Sequence, residues 1–155
     1  RPAFEPRGTQ LKRIVGVGRL TEQKGFDLLI DAFALVAPSH PDWELVIWGE
    51  GPDRAQLEQQ VQAHDLADRI SLPGVTAKAG QWVESATVLV LSSRFEGGPN
   101  VVLEAMAAGV PVIAAACDFG PPELIESGRD GLLVAPESSA HLAEAMAQLM
   151  SDASL

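Results

Sequence analysis

The chain has 155 residues, a formal net charge of −10, a 46% hydrophobic fraction and one cysteine. This length suits one domain with a real core, and the hydrophobic fraction argues against disorder. The negative charge disfavours nucleic acid and anionic membranes as non-specific partners, one cysteine cannot form an internal disulfide, and no apolar run is long enough to span a membrane.

Short apolar runs alternate with amphipathic segments along the whole chain. Strands are predicted at 13–17, 43–48, 69–72, 87–92, 111–116 and 131–135, and the third is expected to stop at Pro73. Helices are predicted at about 23–37, 53–64, 79–84, 99–108, within 120–127, and at 138–150. This alternation predicts a single α/β domain over 1–155, with a Rossmann-like, doubly wound parallel sheet of about six strands and helices on both faces.

The segment FEGGPNVVLEAMAAGVPVI at 95–113 holds the most informative helix. Pro99 suits its first turn and Gly109 suits its end, and its nearly apolar sequence predicts burial on several faces. Glu104 is the only charged side chain between Val101 and Cys117, and Glu96 stands just before the helix. A helix start behind two glycines attracts phosphates and other polar anions. Two carboxylates on either side of such a start are more typical of a ligand site than of simple packing.

In a parallel sheet, ligands bind beyond the carboxyl ends of the strands, where the loops 18–25, 49–52, 73–76, 93–99 and 117–122 are expected. Arg19 and Lys24 flank the first of these loops, as solvated charges or as a pair that binds a diphosphate. Glu104 either forms a buried ion pair with Arg19, Lys24 or Arg94, or accepts hydrogen bonds from vicinal hydroxyls. For Arg19 and Lys24 the residues leave both alternatives open, whereas for Glu104, and for Glu96 eight residues before it, they favour the binding role.

Other chemistry is less well supported by the residues. The run Gly16-Val17-Gly18 begins a dinucleotide fingerprint, but Thr21 replaces the third glycine and Glu50 only loosely matches the expected acid. Cys117 lacks a nearby base, because His40, His64 and His141 are expected away from these loops. No His/Cys/Asp cluster has metal-ligand spacing. Trp48 is either a core residue or the wall of a nucleotide pocket.

Five segments, taken in order, resemble the C-terminal, donor-binding domain of retaining family-four glycosyltransferases of the two-domain GT-B type. They are GVGRLTEQKGFDLLIDAF, LVIWGEGPDRAQLE, ISLPG, SSRFEGGPNVVLEAMAAGVPVIA and GPPELIESGRDGLLV. The most specific element is the pair Glu96 and Glu104. One departure is Gly97-Gly98-Pro99-Asn100, where family members commonly have Gly-Phe-Gly or Gly-Phe-Pro, and it leaves the shape around the sugar open.

The resemblance implies a role for each site residue. Arg19 and Lys24 would bind the diphosphate of a sugar nucleotide and stabilise it as it leaves, Glu104 would hold the ribose hydroxyls, and Glu96 would contact the donor sugar. The backbone of 72–75 would meet the base, and 49–51 would shape the pocket. The implied catalytic residues are Arg19, Lys24 and Glu96. The implied donor-binding residues are Gly18, Arg19, Lys24, Gly49, Gly51, Leu72, Gly74, Glu96, Gly97, Gly98, Pro99, Asn100, Val101 and Glu104.

The resemblance also implies partners. The donor would be a nucleotide sugar, with uridine as the default base, and neither a metal nor a cofactor is expected. The acceptor would be held by an N-terminal domain that these residues do not encode, so we expect an excised cytoplasmic domain, near the membrane only through that domain, that binds donor without transferring sugar. Alternatives are a sugar-nucleotide epimerase or NAD-dependent oxidoreductase, a non-catalytic sugar-nucleotide-binding or interaction module, and a receiver-like domain.

Overall fold

The computed structural model describes residues 12–75, 86–92, 100–115, 131–134 and 138–151. Their elements, in chain order, are β1 (Lys12–Val17), α1 (Phe26–Val36), β2 (Trp43–Trp48), α2 (Arg54–Ala63), β3 (Ile70–Gly74), β4 (Val88–Leu91), α3 (Asn100–Ala107), β5 (Val112–Ala115), β6 (Gly131–Val134) and α4 (Ser139–Met150). Short 3₁₀ turns lie at Glu22–Lys24 and Ala37–Ser39. The helices predicted near 79–84 and within 120–127 lie outside the described residues.

The strands form one six-stranded sheet in the order β3-β2-β1-β4-β5-β6, and every pair is parallel. This confirms the predicted doubly wound sheet. The strand order reverses between β1 and β4, so the connections that follow these two strands leave on opposite faces. A crevice at the carboxyl end of such a reversal is the usual ligand site of this architecture.

Alternate residues of the strands build one apolar core on each face of the sheet. On one face, Ile14 and Ile47 pack in a core with residues of α1, α2 and α4. On the other face, Val15 and Val46 pack in a second core with Ala105 of α3. The described helices therefore cover both faces, as predicted, and the buried sheet between them provides a rigid support for the loops at its edges.

Two element boundaries differ from the prediction for identifiable reasons. The first helix begins at Phe26 instead of about residue 23, because Gly25 has φ 65° and separates a 3₁₀ turn from α1. The third strand continues through Pro73 to Gly74 instead of stopping at residue 72. Since β3 is an edge strand, Pro73 can be accommodated without breaking the sheet.

The helix α3 is less buried than its apolar sequence predicted. Ala105 is fully buried, whereas Glu104, Met106 and Ala107 are exposed. The prediction of burial on several faces is therefore wrong for these three residues, since among the side chains of α3 whose burial is described only Ala105 packs in the core. None of the described helices is long and apolar enough to cross a membrane.

Candidate functional site

A cleft of about 280 Å³ opens at the carboxyl ends of β1 and β2, beside the reversal of strand order. The described residues that line it are Val17, Gly18, Arg19, Trp48, Gly49, Glu50 and Val75. Three of the predicted donor-binding residues, Gly18, Arg19 and Gly49, thus share one surface. A second depression of about 300 Å³ lies between α2 and β3, on the flank of the sheet, and Leu72 is the only predicted residue among its described lining.

Backbone hydrogen bonds join the three loops around the cleft to one another. The Gly18 N–H donates to the Trp48 carbonyl at 3.0 Å, and the Gly49 N–H donates to the Gly74 carbonyl at 2.8 Å. Beyond them, the Leu20 N–H donates to the Glu50 carbonyl at 3.0 Å. These bonds continue the pattern of the sheet past the ends of the strands, so the loops form a single ordered surface.

Glycines allow these loops to approach so closely. Gly49 has φ +147°, and a Cβ atom at this position would overlap the carbonyl oxygen of Gly18. A Cβ atom on Gly51 would lie 2.6 Å from the carbonyl oxygen of Leu20, which is closer than carbon and oxygen tolerate. Gly49 and Gly51 therefore set the spacing between the first two loops, which agrees with the prediction that 49–51 shape the pocket.

The two predicted cations lie at the same loop. Arg19 is exposed at the mouth of the cleft. The stem of Lys24 runs along Gly18, because its Cε and Cδ atoms would lie 3.1 and 3.2 Å from a Cβ atom there. The Lys24 carbonyl accepts a hydrogen bond from the Ser92 hydroxyl at 2.9 Å, which ties this loop to the carboxyl end of β4. Lys24 thus connects the two strands that flank the reversal.

Of the two glutamates predicted to bind the ligand, Glu96 and Glu104, the structure describes Glu104. Glu104 lies in α3 with an exposed side chain, so its interpretation as a member of a buried ion pair is wrong. Asn100 and Val101 begin α3. The remaining predicted residues of this segment, Glu96, Gly97, Gly98 and Pro99, lie outside the described residues, so their roles remain predictions.

One charged residue beside the cleft was not singled out from the sequence. Arg54, the first residue of α2, donates to both carboxylate oxygens of Glu50, at 2.7 and 2.9 Å. It also donates to the Leu72 carbonyl at 3.0 Å and, at 3.4 Å, to the Gly49 carbonyl. The hydrogen bond that Arg54 donates to Glu50, together with the negative charge of Glu50, raises the pKa of Arg54 above its ordinary value. The four-residue spacing between the opposite charges of Glu50 and Arg54 is the sequence feature from which this ion pair could have been predicted.

The structure describes the positions of Trp48 and of the three histidines relative to the cleft. Trp48 belongs to the second core, which confirms it as a core residue, and it also lines the cleft, so its role as the wall of a nucleotide pocket stays a prediction. His40 and His64 follow the carboxyl ends of helices, away from the cleft. His141 lies in the first turn of α4 and is not among the described residues that line the cleft. Within the described ranges, no group of three or more His, Cys, Asp or Glu side chains is arranged to bind a metal.

The chain matches a known protein family over most of its length. Residues 11–152 match the model of the family Glycosyl transferases group 1. An exopolysaccharide phosphotransferase of Streptomyces coelicolor, SCO2592, is 40% identical over 154 residues, which are 98% of this chain and 16% of that protein. Across four curated relatives that match, the chain spans from 16% to 42% of the relative's length.

Solved structures of glycosyltransferases share this fold. The C-terminal domain of a group 1 glycosyltransferase, LpcC from Francisella tularensis, superposes with a TM-score of 0.83 at 30% identity, covering 98% of this chain and 86% of that one. HepE of Anabaena, crystallised with UDP-glucose, superposes with a TM-score of 0.84 at 29% identity, covering 93% of this chain and 40% of that one.

Proposed function

Because the chain belongs to the group 1 glycosyltransferase family, we propose that it binds a nucleoside-diphosphate sugar, with UDP as the nucleotide, at the cleft beyond β1 and β2. The observation that supports this proposal is the convergence of Gly18, Arg19 and Gly49 on one cleft at the carboxyl ends of β1 and β2, beside the reversal of strand order. HepE, a structural neighbour, was crystallised with UDP-glucose, which supports the choice of nucleotide.

The chemistry of the cleft suits a diphosphate beside a base. Arg19 presents a planar fork of donors that matches phosphate oxygens, and Lys24 adds a compact charge along the same loop. Farther from these cations, the exposed side chain of Val75 and the edge of Trp48 offer an apolar surface for the base. A ligand with an anionic and an aromatic end would therefore lie from the cations towards Gly74 and Val75.

The proposed reaction is transfer of the glycosyl group with retention of configuration. The bond between the sugar C1 and the diphosphate oxygen breaks, and its electron pair remains on the departing nucleoside diphosphate. A hydroxyl oxygen of the acceptor forms the new bond to C1 on the same face, and its proton passes to the departing phosphate. Arg19 and Lys24 would stabilise this negative charge as it develops, without a metal ion. Glu104 would hold the ribose hydroxyls, and Glu96 those of the sugar.

We further propose that the acceptor is bound by a second domain. The chain spans less than half the length of four curated relatives, and it matches a solved C-terminal domain over nearly all of its own length. These residues would therefore bind donor but not transfer sugar, and measurable transfer by them would contradict this part of the proposal.

The test is calorimetric titration of the chain with UDP, GDP, ADP and NAD, repeated on Arg19→Ala and Glu104→Ala. Each substitution should weaken nucleotide binding by about tenfold or more, the loss of a hydrogen bond that involves a charged group. Lys12→Ala and Glu144→Ala are matched controls: Lys12 lies at the opposite end of β1 from Arg19, and Glu144 is exposed on α4.

Binding of one nucleoside diphosphate that both site variants weaken and both controls leave unchanged would support the proposal. Binding of NAD that ignores Arg19 would contradict it and favour an oxidoreductase. If the control variants weaken UDP binding as much as the site variants do, the loss of affinity does not come from contacts in the cleft, and the cleft is not the site.

A further inference from the structure

The pairing of β3 with β2 is irregular at the point where β3 borders the cleft. Among the described strands β3 is an edge strand that pairs with β2, and the register of that pairing shifts between Val46 and Trp48. Ser71 pairs with Val46 and Gly74 with Trp48, so the β3 side holds one more residue than the β2 side. Pro73 lies within this bulge and has no N–H to donate. Ladder bonds are thus interrupted next to the cleft.

Arg54 spans this interruption from outside the sheet. Its guanidinium donates to the Leu72 carbonyl at 3.0 Å, on the bulged side, and to the Gly49 carbonyl at 3.4 Å, on the loop after β2. It also binds both carboxylate oxygens of Glu50. The Glu50 carboxylate in turn lies against Gly74, since its Oε2 atom would be 3.3 Å from a Cβ atom there.

We propose that Arg54 is a positioning residue for the donor, which fixes the width of the cleft between the Gly49–Glu50 backbone and the Gly74–Val75 backbone where the nucleobase lies. This inference rests on the proposed function. Arg54 does not line the cleft among the described residues, so it would act through Glu50 and the two carbonyl groups and not by touching the ligand.

The geometry requires arginine in particular. Three of its nitrogen atoms donate in three directions at once, to a carboxylate and to two carbonyl groups on separate segments. Lysine carries the same charge but only one nitrogen atom on a flexible stem, so it could keep the ion pair with Glu50 and would lose the connection to Leu72. A substitution to lysine therefore separates positioning from charge.

The experiment measures the Kd of two ligands for the wild-type chain, Arg54→Lys and Arg54→Met. The first ligand is UDP, which occupies the base and phosphate regions. The second is inorganic pyrophosphate, which can contact Arg19 and Lys24 but carries no base. Glu58→Gln is the matched control, because Glu58 is the other carboxylate that pairs with Arg54, at 3.5 Å, and it does not line the cleft. Thermal unfolding establishes that each variant is folded at the temperature of titration.

We expect both Arg54 variants to raise the Kd for UDP by about tenfold, the equivalent of one lost hydrogen bond to a charged group. Their Kd for pyrophosphate, and both Kd values of Glu58→Gln, should remain those of the wild type. If Arg54→Met does not fold, Arg54→Lys decides alone.

Wild-type UDP affinity in Arg54→Lys would overturn the positioning role and leave the proposed function intact. A parallel loss of UDP and pyrophosphate affinity would also overturn it, because it would show a general loss of structure. A wild-type chain that binds pyrophosphate but no nucleoside diphosphate would overturn the proposed function together with this inference.

Discussion

The close approach of the first two loops can be tested with the substitution Gly49→Ala. Gly49 has φ +147°, and a Cβ atom there would overlap the Gly18 carbonyl oxygen. The unfavourable backbone conformation costs about 1–2 kcal/mol, and relieving the overlap costs about 1–3 kcal/mol more. We therefore expect Gly49→Ala to lower the free energy of unfolding by about 2–5 kcal/mol.

Gly109→Ala is the matched control, because it separates the two costs. Gly109 also has a positive φ, 75°, but a Cβ atom there would meet no atom within 4 Å. Its substitution should cost only the backbone term, about 1–2 kcal/mol. Urea unfolding followed by circular dichroism gives both free energies, and the difference between the variants reports the overlap together with the greater backbone strain at φ +147°.

The same pair of variants also predicts a functional difference. Gly49→Ala should displace the Gly18 backbone and weaken UDP binding, whereas Gly109→Ala, in the turn after α3, should not. If the two variants lose the same free energy of unfolding, the loops are not in the close contact described here, and the account of how glycines shape the cleft is refuted.

Two further predictions concern the core. Leu29→Ala should lower the free energy of unfolding by about 2–5 kcal/mol, because Leu29 is fully buried in α1, whereas Leu35→Ala in the same helix, 63% exposed, should change it by less than about 0.5 kcal/mol in urea unfolding. Arg13→Met should cost about 3–5 kcal/mol, because it removes the cation that contacts the buried Glu44 carboxylate at 2.6 Å. The double variant with Glu44→Leu should recover most of that loss, and a double variant as unstable as Arg13→Met would contradict this explanation.

The sheet was predictable because its strands are short apolar runs with clear breaks. Strands buried on both faces need such runs whatever surrounds them, so the run at Trp43–Trp48 identified β2 with its observed bounds. The start of α1 was not predictable in this way, since Gln23 and Lys24 are good helix formers and only the backbone angle of Gly25 separates them from the helix. Local composition could not reveal that angle.

The site was predictable where the loops determine it and less so where packing does. Gly18, Arg19 and Gly49 follow strands that parallel pairing brings together, so topology alone placed them at one cleft. The exposure of Glu104 depends on which side of α3 rests on the sheet, which an almost uniformly apolar helix does not indicate. The contacts of Arg54 depend on the bulge in β3, a tertiary feature with no local pattern of its own.

The central place of β1 in the sheet also bears on how the chain folds during synthesis. Its first neighbour, β2, follows directly in the chain, and β3 comes next, so one half of the sheet and the loops of Gly18, Gly49 and Gly74 can assemble early. The other edge of β1 pairs with β4, through Ile14 and Val88, and β4 leaves the ribosome much later. Until then the nascent chain presents an apolar strand with an unpaired edge, which is the stage most exposed to aggregation.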